Sequence, residues 1–127
     1  MAWPSELYCA TKTLGVYHST NADLVPVTQP TWATVNDGLP ATDVRQFALD
    51  TFDPAGIQYL LLETARTLYI RQGGNWSAIL TSAEALALTA ADTSGTLRWF
   101  CNDPSIAGRI WVTYNGAYTD GPWNNET

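Results

Sequence analysis

The residues best suited to hold a ligand lie near the C-terminal end. Tyr114, Asn115, Tyr118, Asp120 and Trp123 fall in one polar, glycine-bearing stretch, Tyr114-Asn115-Gly116-Ala117-Tyr118-Thr119-Asp120-Gly121-Pro122-Trp123. An aromatic face matches the C–H face of a pyranose, and amide and carboxylate groups bond its hydroxyls. These five are therefore the candidate ligand-binding residues, with carbohydrate as the ligand class. A terminal tail docked on a partner or frayed is the competing reading.

Other chemistry-bearing residues are read structurally. Asp50, Asp53 and Asp103 invite comparison with calcium or glycosidase carboxylates. Asp53-Pro54 and Asp103-Pro104, however, read as equivalent turns formed by Asp, with Asp50 facing solvent. His18 is the only histidine and stands beside Ser19. Neighbours on a strand point to opposite faces, so the two make no catalytic dyad. Arg45, Arg66, Arg71, Arg98 and Arg109 match no catalytic pattern. Gly73-Gly74 reads as a hairpin turn and not as a phosphate loop. Trp32, Trp76 and Trp111 are expected in the core. Cys9 and Cys101 read as buried free thiols, a disulfide being the alternative. The expectation is a protein with no catalytic residues, no metal and no cofactor.

Composition narrows the partners. Six Lys+Arg against twelve Asp+Glu give a net charge of −6 over 127 residues, which disfavours nucleic acid. Tyr59–Leu62, the longest apolar run, is far too short to span a bilayer, and residues 1–6 lack a secretory pattern. A soluble protein of unassigned compartment is expected, with no membrane partner.

Short runs rich in Thr, β-branched and aromatic residues, broken by Gly, Pro, Asn and Asp, predict an all-β chain. Strands are expected at 6–11, 15–20, 31–35, 44–50, 58–64, 67–71, 76–80, 96–102 and 109–114, with a tenth in 117–123. Thr81 followed by Glu84 and an Ala/Leu run predicts a capping box and a short helix near 82–88, docked on neighbouring strands.

The runs recur. Tyr59 to Trp111 and Tyr17 to Tyr69 are both 52 residues apart, and Asp53 to Asp103 is 50. Labelling the strands of a unit A to D, the chain reads B-C-D over 1–40, A-B-C-D over 41–95 and A-B over 96–127. About 2.4 antiparallel four-stranded units of ~52 residues result, the size of β-propeller blades, within one domain spanning 1–127.

Ser19, Asn21, Thr31 and Trp32, with the weaker copies Gly73-Gly74-Asn75-Trp76 and Thr113-Tyr114-Asn115-Gly116, resemble the Asp-box (BNR) repeat of sialidase-like and small lectin-like propellers. That resemblance implies propeller blades and a turn device, not an activity. Closed propellers need about four blades. Three readings follow: self-association into a homo-oligomer, a natural or engineered piece of a larger propeller, or a compact sandwich or barrel that only looks blade-like. The leading functional expectation is a non-catalytic binding module, with glycans as its ligand class, completed by self-association. A purely structural component of a shell, fibre or surface scaffold is the alternative.

Overall fold

The computed structural model describes residues 6–22, 29–50, 56–88 and 92–118, with only the backbone at 92–93 and 117–118. The chain is mostly β, in antiparallel sheets with one short helix. Nine strands and that helix run in the order β1 (Leu7–Thr11), β2 (Gly15–Ser19), β3 (Ala33–Thr34), β4 (Val44–Leu49), β5 (Gln58–Leu62), β6 (Leu68–Arg71), β7 (Ser77–Leu80), α1 (Ser82–Ala87), β8 (Asp92–Asn102) and β9 (Ile110–Tyr118). They form a first sheet β1-β2-β3, a second sheet β4-β5-β6-β7 and a third sheet β8-β9. No sheet closes on itself among the described residues.

The second sheet lies between the other two. Strand β5 is buried at all five positions, as its unbroken apolar run requires of a strand covered on both faces. Leu60 and Leu62 pack with Val16, Val44, Tyr69 and Trp76 on the side of the first sheet. Tyr59 and Leu61 point the other way, into a cluster with Leu68, Leu97 and Phe100. Alternation of side chains along one strand thus feeds two cores. Each fully buried leucine contributes roughly 1.5–3 kcal/mol.

The expected capping box is present. The Thr81 hydroxyl accepts from the Glu84 amide at 3.1 Å, and the Glu84 carboxylate accepts from the Thr81 amide at 2.8 Å. At six residues the helix is too short to persist alone. Ser82 anchors it: its hydroxyl donates to the Arg66 carbonyl and accepts from the Leu97 amide.

The hairpins β4–β5 and β8–β9 repeat one another in detail. Each carries a β-bulge on an arginine, at Arg45 between Val44 and Gln46 and at Arg98 between Leu97 and Trp99. Each is closed by the amide of an aspartate, Asp50 to the Ile57 carbonyl and Asp103 to the Arg109 carbonyl, both at 2.8 Å. This corrects the register expected from sequence. The counterpart of Asp103 is Asp50; Asp53 lies outside the described residues. Asp50 does not face solvent either, being only 1% exposed. The Asp-Pro dipeptides misled the alignment because the fold repeats the residue that ends the strand, not the one that precedes proline.

Burial brings further corrections. Cys9 and Cys101 are free but exposed, since alternation puts each on the outward face of an outer sheet. Trp76 is buried as expected, but Trp32 and Trp111 are exposed, at 45% and 58%.

Candidate functional site

Two clefts flank the second sheet. The first, about 400 Å³, opens between the first and second sheets and is lined by Glu6, Tyr8, Leu49, Gln58 and Arg71 with two glycines. Antiparallel pairing builds it. Register sets Tyr8 beside His18 across β1 and β2, and Gln58 beside Arg71 across β5 and β6. The Tyr8 and His18 rings stack with centroids 4.3 Å apart and planes 6° from parallel. Glu6 binds that stack from the side: its carboxylate lies 2.8 Å from His18 Nε2 and accepts from the Tyr8 hydroxyl at 3.4 Å. Opposite, the Arg71 Nη1 donates to Gln58 Oε1 at 2.9 Å and its Nε to the Gly74 carbonyl at 2.7 Å. The guanidinium is thus held in one orientation at the cleft wall. The cleft offers the Tyr8 ring, backed by His18, with a carboxylate acceptor, an amide and a fixed cation.

The second cleft, about 420 Å³, includes Lys12, Arg45, Gln46, Glu63 and Trp99. Its polar groups are spent on one another. The Arg45 guanidinium lies 3.9 Å above the Trp99 ring and donates to Glu63 at 3.0 and 3.2 Å and to the Arg98 carbonyl at 2.6 Å. Arg66 reaches the same carboxylate at 3.2 Å. The hydrogen bond from Arg45, reinforced by the charges of Arg45, Arg66 and Lys12, holds the Glu63 carboxyl below the usual range. This constellation fastens sheets together and presents little to a ligand.

Of the five residues singled out from sequence, Tyr114 lies half-buried on β9, turned inward over Gly95, where any Cβ would collide with its ring. Its hydroxyl is buried without a partner among the described residues. Asn115 is exposed, and alternation turns it to the opposite face, so the strand does not bring the two together. The backbone of Tyr118 pairs with Asp92, and its side chain lies outside the described residues. Asp120 and Trp123 also lie outside them. Sequence reasoning missed Glu6, Tyr8, Gln58 and Arg71 as a group. They are 65 residues apart at the extremes, and only strand register joins them.

Asp103 fulfils its expected turn role. Its carboxylate accepts from the amide and hydroxyl of Ser105 at 2.8 and 2.7 Å and from the Trp111 indole at 3.3 Å. These bonds, led by the Ser105 hydroxyl, lower its pKa, and Arg109 adds to the effect. Among the described residues no group of three or more His, Cys, Asp or Glu side chains is placed to hold a metal ion. No helix among them is long and apolar enough to cross a membrane. No family model, no curated protein and no solved structure matches the chain.

Proposed function

We propose that the chain is a non-catalytic binding module built from propeller-blade-type units, and that it takes a small saccharide in the cleft between the first and second sheets. The cleft carries this reading: the Tyr8 ring, braced by His18, beside Glu6, Gln58 and Arg71 combines an aromatic surface with the mixed donors and acceptors that a polyhydroxylated ring requires. Its volume of about 400 Å³ falls within the range of small-molecule sites. The blade-type reading draws support from the matching bulges at Arg45 and Arg98 and from the turn in which Asn21 Oδ1 accepts from Ser19, from the Thr31 amide and from the Thr31 hydroxyl.

The test is a titration with a panel of mono- and disaccharides, followed by amide chemical shifts and calorimetry. At least one sugar should shift the amides of Tyr8, Gln58 and Arg71. Arg71→Ala should weaken binding at least tenfold in a chain that circular dichroism shows to be folded. A panel that leaves these amides unmoved at millimolar sugar overturns the proposal.

A further inference from the structure

The three sheets are stacked in one sense. Corresponding positions in successive sheets face the same way, so each sheet shows one face to the sheet before it and the other to the sheet after it. Phe47 of β4 packs toward the first sheet, and its counterpart Phe100 of β8 packs toward the second. On the opposite face of β4, Gln46 hydrogen-bonds the Phe100 backbone and Ala48 joins the cluster shared with the third sheet. The counterparts of Gln46 and Ala48 in β8 are Trp99 and Cys101. Both are exposed, as is Trp111, the counterpart of the buried Tyr59. Apart from the face of Trp99 that Arg45 covers, the positions that bury the second sheet against the third are therefore open in the third.

The first sheet shows the complementary condition. Trp32 and Trp76 each stand one residue ahead of the last strand of their sheet. Trp76 is buried against the preceding sheet, its indole donating to the Val35 carbonyl at 2.6 Å; Trp32 is exposed. On β1, Leu7 and Cys9 alternate with Tyr8, which faces the second sheet, and both are exposed. None of these outward residues is charged, whereas the solvent face of an antiparallel sheet is ordinarily polar.

We infer that the outer face of the third sheet docks on the outer face of the first sheet of a second copy of this chain. Such head-to-tail contact continues the sense of stacking already present within the chain and covers both apolar faces at once. A two-fold contact of like faces covers only one of them. The contact is heterologous, so it propagates into a ring or an open stack.

The experiment is sedimentation velocity over a range of concentrations with three single variants. The unmodified chain should sediment well above 13.9 kDa, its monomer mass. Trp111→Lys on the third sheet and Leu7→Lys on the first should each drop to the monomer. Leu88→Lys, on the exposed end of the helix, should keep the assembly. Mixing Trp111→Lys with Leu7→Lys should then give a dimer and nothing larger, because each supplies the face the other lacks. Circular dichroism checks folding, and Cys101→Lys and Trp32→Lys replace the third-sheet and first-sheet variants if either fails that check. An unmodified chain that stays monomeric throughout overturns the inference. A Leu7→Lys variant that still dimerises alone while Trp111→Lys does not, or the reverse, shows contact between like faces and also overturns it.

Discussion

Between the second and third sheets, polar side chains reach across to backbone groups of the facing sheet. The Gln46 amide bonds both the carbonyl and the amide of Phe100, Arg45 donates to the Arg98 carbonyl, and Asn102 donates to the Leu49 carbonyl. Asp50 spans the two hairpin ends, accepting from the Gly108 amide at 2.8 Å. Between the first and second sheets, aromatic rings meet instead: Tyr8 on Phe47 at 5.9 Å and Phe47 edge-on to Trp76 at 6.4 Å. Two backbone approaches tighten that junction. The Trp76 amide donates to the Asp37 carbonyl, and Gly38, with a φ of +94°, lets the Trp76 backbone come close. One interface is directional and fixes register. The other is broad and apolar, and the polar groups at its rim, bonded in pairs, line a cleft.

That contrast can be broken first at its largest member. Trp76→Ala removes a buried ring from the aromatic interface and leaves the Val35 carbonyl without its indole partner. A loss of about 3–5 kcal/mol is expected from denaturant unfolding. Gln46→Ala strips two backbone groups of Phe100 of their partner, at an expected cost of about 1–3 kcal/mol. If Gln46→Ala proves the costlier, the directional interface carries more of the fold than the aromatic one. Thr81→Ala removes the helix cap that helps seat α1 against β8, and a loss of about 1 kcal/mol is expected by the same measurement.

The acid limb sharpens the comparison further. Asp103 is held below the ordinary carboxylate range chiefly by the Ser105 hydroxyl, and Asp43 chiefly by its hydrogen bond with Thr64. A lowered pKa means that the folded chain binds fewer protons than the unfolded one. The stability it brings is complete above an unfolded value of about 4 and is lost as pH falls through the lower folded value. Asp103→Asn should flatten that limb in a pH series of melting temperatures, lowering the melting temperature most near neutral pH and least in acid, where the Asp103 carboxylate of the parent chain is itself protonated.

Most strand positions were legible, because pairs such as β5 and β6 carry their burial in the type and period of their residues. Thr81 and Glu84 announced the helix for the same local reason. Asp50 was misread because its role depends on which residue closes a hairpin, and a neighbouring Asp-Pro gave the stronger local signal. Trp111 and Trp32 read as core because an aromatic on a strand says nothing about whether a further sheet covers it. The cleft was illegible for a different reason. Gln58 and Arg71 meet through register, and Glu6 and His18 lie twelve residues apart across a hairpin.

The burial of Gln58–Leu62 has a dynamic corollary. This ribbon is hydrogen-bonded along both edges and covered by apolar side chains above and below. Its amide protons can trade for deuterium only when layers on both sides come away together. Among the described residues the slowest exchange is therefore expected at these five, and its rate reports the opening of the whole stack rather than of any one hairpin.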